Sequence, residues 1–411
     1  MTNLAPPRQG PRPLPLHLAA EAAILQMSFA GLMPWSSASP LSKPFQLLVA
    51  ERGKSPTDGA DAWPADLDRS SFVDALTRTA KNSLELFSAG IAAYHRHPFR
   101  RQRSAPPAIW QDGAATLHAY ADRGVATLFV PSLINRAYIL DLAQDRSLLY
   151  YAARNGLRPY LLDWGEPGPD ERAFALGDYV SRVLIPALDH IATTTGQTPR
   201  LVGYCMGGTL AVAPAVLRPD LISGLALLAA PWDFHAESAA SRQLIALFRP
   251  VLTHVIEAAG CAPVDLLQAL FASLDPTLAG RKFRGFAALD PASTAAERFV
   301  ELEDWLNDGV PLAGPAARET LFEWYGENLT QRGKWQIQGR VIAPASVTAP
   351  TLAVIPANDR IVPPASAMAL AEAIPGARVH RVALGHVGMM AGGSAARLLY
   401  GPLVEWLTAP S

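Results

Sequence analysis

Six residues, Gly203-Tyr204-Cys205-Met206-Gly207-Gly208, constrain this chain of 411 residues more than any other segment. They end an apolar run, Arg200 to Tyr204, and lead into a helical stretch over 207–217. A strand that turns at once into a helix, with a nucleophile at the turn and small residues around it, is a nucleophile elbow, here with cysteine in place of serine. The turn is strained so that the nucleophile's tip stands exposed, and bulky neighbours would collide with the adjoining strand and helix. A helix N-terminus also favours the thiolate form of a nucleophilic cysteine. The competing reading is a buried structural cysteine beside a Gly-rich turn. The position between strand and helix argues against it.

Compact apolar runs recur around the elbow at Thr127–Val130, Pro159–Leu162, Leu225–Leu228 and Thr351–Ile355, as in the strands of a buried parallel sheet. Helical stretches follow at 173–193, 207–217 and 364–373. Ala108–Trp110 and Thr116–Tyr120, flanking Gln111-Asp112-Gly113, read as a hairpin before them. The expectation is an α/β-hydrolase fold: a doubly wound, mostly parallel sheet with a mainly helical cap insertion and a helical N-terminal region. The boundaries follow the pattern: 1–105 N-terminal helices with a Pro-rich leader, 106–234 first part of the core, 235–342 cap, 343–411 second part of the core. The alternation stops after Pro231 and resumes near Ala349, and helices are expected at 264–274 and 317–329 between them. Such an insertion lies above the carboxyl ends of the strands, where these folds bind ligands. Residues 66–94 carry one apolar helix face, and the Ser/Pro stretch 36–44 reads as a connection.

Composition excludes several classes. A net charge of -1 offers no field to draw in nucleic acid. The one basic cluster, His95 to Arg103, reads as a solvated linker. Ala19 to Trp35 is apolar but contains Glu21 and falls short of the roughly 20 residues that cross a bilayer, so no transmembrane span is expected. The two cysteines, Cys205 and Cys261, form no disulfide framework or metal-ligand pair. No metal or cofactor is expected, Cys261 reads as a small buried hydrophobe in the cap, and a reducing, cytoplasmic setting fits.

In this fold the chain order is nucleophile, acid, histidine. Asp359, just past the strand ending at Ile355, and His386, just past a last strand over 378–384, stand in that order at strand ends. Asp233, after the strand that follows the elbow helix, is the rival acid, with capping of the insertion's start as its other role. The oxyanion hole calls for the Met206 N–H and one from the loop Pro131–Arg136, where Ile134 or a residue beside it is the candidate.

Assembled, these residues resemble the polyhydroxyalkanoate synthases, which polymerise 3-hydroxyacyl-coenzyme A into polyester. The likeness runs over most of 126–395 and includes Val130–Leu142, Leu162-Asp163-Trp164-Gly165, the Gly-x-Cys-x-Gly-Gly elbow, Asp359–Pro363 and Gly385-His386. Asp145–Leu148 and Asp163–Pro167 are similar to the short, two-subunit class. The resemblance implies Cys205 as acyl carrier and His386 as its base, with Asp359 orienting His386 or activating the incoming hydroxyl. Tyr138, Asp163 and Trp164 are its candidate substrate-binding residues, with a purely structural role as the alternative, the more usual one for an aromatic near a strand end. It further implies a 3-hydroxyacyl-coenzyme A substrate, attachment to the polyester granule surface, and a second synthase subunit or a homodimer. A thiolate attacking a thioester makes another thioester, nearly isoenergetic, so the acyl group stays activated. A hydrolase using the same triad and a non-catalytic granule coat protein are the competing functions.

Overall fold

The apolar runs become strands because both faces of the sheet are covered, and successive side chains divide between the two covers. In β3 (Val125–Val130), Leu128 and Val130 enter one hydrophobic cluster while Phe129 enters the other. In β5 (Arg200–Tyr204) Leu201 and Val202 divide likewise, as do Leu227 and Leu228 of β6 (Gly224–Leu228). Each large apolar side chain buried this way contributes about 1.5–3 kcal/mol.

The computed structural model describes residues 8–30, 69–236 and 239–410. The Ser/Pro stretch 36–44, residues 31–35 of the apolar segment and the first residues of the 66–94 pattern lie outside the described residues. The other sheet strands are β1 (Ala108–Asp112), β2 (Ala115–Ala119), β4 (Leu157–Asp163), β7 (Thr351–Pro356) and β8 (Arg378–Val382). Their order is β1-β2-β4-β3-β5-β6-β7-β8. The hairpin β1–β2 joins antiparallel at one edge, and every pairing from β4 to β8 is parallel. This is the α/β-hydrolase arrangement expected from the sequence. β8 stops at Val382, two residues short of the expected end. The helices Met206–Leu217 and Pro364–Ala373 fall where the pattern puts them, and the 173–193 stretch is wound partly as a π-helix over Tyr179–Leu184.

The chain divides into two compact units, one made of the described residues up to Pro98 with Asp275–Glu297, the other of Phe99–Leu274 with Arg298 onward. In the smaller unit, helix Leu278–Ala287 packs on helix Arg69–Arg96. Phe283 meets Phe87 and Tyr94 edge-on at 6.2 and 5.7 Å, and a Cβ on Gly90 would strike the Phe283 carbonyl. Arg284 pairs with the buried Glu21 at 2.7 Å. No helix among the described residues is long and apolar enough to cross a membrane.

In the larger unit, Arg101 and Arg103 are not the solvated linker that composition suggests. The Arg101 guanidinium donates to the Asp141 carbonyl at 2.8 Å and lies 4.5 Å over the Tyr138 ring. Arg103 pairs with the Asp141 carboxylate at 2.7 Å and lies 4.1 Å over Tyr150. Their charge is spent on a buried carboxylate and aromatic faces, contacts no local pattern announces. Cys261 is half-buried, because it starts a two-residue strand, Cys261–Ala262, paired with Leu312–Ala313.

Candidate active site

Cys205 sits between β5 and helix Met206–Leu217 with φ 56° and ψ -129°, a conformation costly for a residue with a Cβ. Its surroundings hold it there. The Cys205 N–H donates to the Leu228 carbonyl at 2.9 Å, and its own carbonyl accepts from the Gly208 N–H at 2.8 Å. The glycines are required by close approach: a Cβ on Gly203 would come within 2.5 Å of the Gly208 Cα. One on Gly207 would land on the Val130 and Pro131 carbonyl oxygens. The elbow helix is thus pressed against the loop that leaves β3.

Asp359 and His386 meet. The His386 Nδ1–H donates to Asp359 Oδ2 at 2.6 Å, both side chains are buried, and Asp359 Oδ1 accepts the Ile361 and Val362 N–H groups at 2.8 Å each. The His386 ring lies within electrostatic reach of the Cys205 sulfur. Burial alone would push the His386 imidazolium down. The nearby Cys205 sulfur and the hydrogen bond to Asp359 outweigh burial and hold it up, at about 10. The rival, Asp233, is engaged elsewhere: its Oδ1 accepts from the His235 N–H at 2.8 Å and from Asn328 Nδ2 at 2.7 Å.

As the first residue of its helix, Met206 has an N–H without an intrahelical acceptor. The Ile134 N–H makes a long bond, 3.3 Å, to Ser132 Oγ, one that a charged oxygen readily displaces. The Ile134 carbonyl accepts from the Val310 N–H at 3.0 Å and Asn135 bridges to Gly309, so the insertion braces this loop. Trp164 is buried, donating from Nε1 to the Pro131 carbonyl at 3.0 Å and meeting Tyr179 edge-on. Asp163 accepts from the Gly165 N–H at 3.0 Å, closing the turn after β4. The Tyr138 hydroxyl donates to Asp308 Oδ2 at 3.2 Å. These three side chains hold loops around the elbow, and their bonds are made within the protein.

Two tyrosines at the site escaped the sequence reading. The Tyr204 ring stacks on His386 at 5.0 Å and 29°, and its hydroxyl donates to the His386 carbonyl at 3.1 Å. Its place in the Gly-x-Cys motif was the available signal. Tyr325, on a π-wound helix Glu319–Gly326 of the insertion, is pushed up by burial and then by the charge of Cys205. No local pattern marks it.

A family model described as alpha/beta hydrolase fold matches residues 128–392. The poly(3-hydroxyalkanoate) polymerase subunit PhaC of Synechocystis is 30% identical over 293 residues, covering 69% of this chain and 78% of that protein. The subunit of the same name from Haloferax mediterranei is 30% identical over 294 residues, 70% of this chain and 59% of that longer protein. That from Allochromatium vinosum is 28% identical over 288 residues, with 69% and 80% covered. The chain thus spans less than two thirds of the Haloferax protein and more than three quarters of the other two. An elbow, an acid and a histidine at the expected strand ends of an α/β-hydrolase sheet, together with this identity, make the chain a member of the PhaC family of poly(3-hydroxyalkanoate) polymerase subunits.

Proposed function

We propose that this chain is an acyltransferase that polymerises (R)-3-hydroxyacyl-coenzyme A into polyester, releasing coenzyme A through an acyl group carried on Cys205. The observation that carries the reading is the linked set Cys205–His386–Asp359, buried on the acid side and strained at the nucleophile. His386 takes the thiol proton, the sulfur attacks the thioester carbonyl, and the carbon–sulfur bond to coenzyme A breaks. Coenzyme A leaves with the proton from His386. The hydroxyl of a second unit or chain end then gives its proton to His386 and attacks the acyl-Cys205 carbonyl. An ester forms and the Cys205 sulfur leaves. The Met206 and Ile134 N–H groups serve the tetrahedral oxyanion in both halves.

Asp359 acts through His386 in this scheme. Its oxygens accept two backbone N–H groups and the Nδ1–H, and the side chain is fully buried behind His386, which keeps an incoming hydroxyl from it. The thioester brings its own leaving group, and the second unit brings the acceptor hydroxyl. The insertion 235–342 is read as a cap, its Gly309 and Val310 backbone lying against the oxyanion loop, and it keeps water from the acyl-enzyme. Because relatives are named as polymerase subunits, we also infer a partner subunit, with the polyester granule surface as the place of work.

Intact-protein mass measurement after mixing with 3-hydroxybutyryl-coenzyme A tests the acyl carrier. One hydroxybutyryl group should add to the wild type and none to Cys205→Ala. Addition to the Cys205→Ala protein would overturn the assignment.

A further inference from the structure

Tyr204 is the last residue of β5 and the one before the nucleophile, paired with Leu228 inside the parallel sheet and 3% exposed. From there it makes two contacts with a single residue. Its ring stacks on the His386 ring with centroids 5.0 Å apart and planes at 29°, and its hydroxyl donates to the His386 carbonyl at 3.1 Å. Burial holds the phenol well above its ordinary range, so the O–H stays a donor. That hydroxyl is occupied within the protein, and neither proton transfer at Cys205 uses it.

His386 needs such a hold. It lies in the loop between β8, which ends at Val382, and the short helix Gly388–Ala391, with Gly385 directly before it. Asp359 fixes the ring at one atom, Nδ1, and itself comes from a loop, the one that leaves β7. One bond at one edge leaves the ring free to tilt about it. The Tyr204 face blocks that tilt, and the bond to the carbonyl fixes the backbone from which the ring hangs. We infer that Tyr204 is a positioning residue that sets the His386 ring relative to Cys205, by its face and by its hydroxyl, from the strand that carries the nucleophile. Base and nucleophile are then referred to one rigid element. A misplacement of about 1 Å between such groups costs about 100-fold in rate. The inference rests on His386 serving as base to Cys205 in the acyl-transfer reading above, and names the residue that positions it.

The test is a mutant cycle read by two reactions of Cys205: single-turnover acylation by 3-hydroxybutyryl-coenzyme A, and alkylation by iodoacetamide, which asks nothing of thioester recognition. Tyr204→Phe keeps the ring on His386 and removes the bond to its carbonyl, Tyr204→Leu removes both, and thermal melting checks that each is folded. The maximal acylation rate should fall about tenfold in Tyr204→Phe and about 100-fold in Tyr204→Leu. The half-saturating thioester concentration should stay put, because no group that meets the substrate is altered. Alkylation should slow in the same order. In a His386→Ala protein, with no ring to hold, neither substitution should slow alkylation further. Further slowing there would place the damage at the elbow itself and overturn the inference, as would a raised half-saturating concentration at an unchanged maximal rate. Wild-type rates in Tyr204→Phe would overturn it alone, so the inference is tested even where the leucine protein does not fold. Wild-type protein that is alkylated at Cys205 but never acylated would instead overturn the acyl-transfer reading, and the alkylation cycle would still decide the role of Tyr204.

Discussion

Asp359→Asn separates orientation from every other role of the acid. Asp359 Oδ1 accepts two backbone N–H groups at 2.8 Å, so the new amide must place its oxygen there. Turning the amide over would set its NH2 against those two buried donors, at about 1–3 kcal/mol for each one left unpaired, or roughly 2–6 kcal/mol together. The NH2 is therefore held where Oδ2 now lies, 2.6 Å from His386 Nδ1. Nδ1 must then accept, which moves the ring proton to Nε2, on the side of Cys205. That tautomer cannot take the thiol proton. In hydroxyl-nucleophile triads such a change costs about 10⁴-fold in kcat. A cysteine, which ionises more readily, should lose less, on the order of 10²–10³-fold. Rapid-quench acylation by 3-hydroxybutyryl-coenzyme A measures it, with circular dichroism to confirm folding. Wild-type acylation in the Asn protein would refute the reasoning. Normal acylation followed by stalled elongation would give Asp359 the hydroxyl-activating role instead.

Cys205→Ala removes the charge that does most to hold His386 up, so the histidine should titrate well below about 10 in an NMR pH series. The sign for stability follows. A raised histidine contributes fully below its unfolded value of about 6.5, and the contribution fades as pH climbs toward about 10, so wild-type melting should fall across that window and the fall should come at lower pH in Cys205→Ala. Gly207→Ala drives a methyl onto the Val130 and Pro131 carbonyls and should cost about 1–3 kcal/mol in chemical denaturation, with acylation lost as the oxyanion loop is displaced. Trp164→Phe leaves the Pro131 carbonyl without its indole donor and should cost about 1–3 kcal/mol, with slowed acylation of Cys205.

The sheet and elbow were legible because they are local: each strand is a continuous apolar run, and the elbow's glycines are called for by atoms a few residues away. His386 and Asp359 were legible from chain order, since both close loops at strand ends. Other features depend on contacts far along the chain. Arg101 and Arg103 look like a solvated basic run until Asp141, Tyr138 and Tyr150 fold against them. Helix Leu278–Ala287 looks like part of the insertion, while its Phe283 packs with Phe87 and Tyr94. Asp163 and Trp164, singled out by resemblance, are occupied with the backbone of their own and the neighbouring loop. Tyr325 belongs to a π-turn, whose register no 3.6-residue periodicity expresses.

The central claim is that the acyl group on Cys205 passes to an alcohol and not to water. Release of coenzyme A from 3-hydroxybutyryl-coenzyme A is common to both outcomes, so the acyl product must be identified, with the purified chain alone and with a partner subunit added. Protein-bound or insoluble oligoester, its ester bonds equal in number to the coenzyme A released after the first turnover, is the predicted result. Stoichiometric free 3-hydroxybutyrate under both conditions would contradict the account and make the chain a hydrolase.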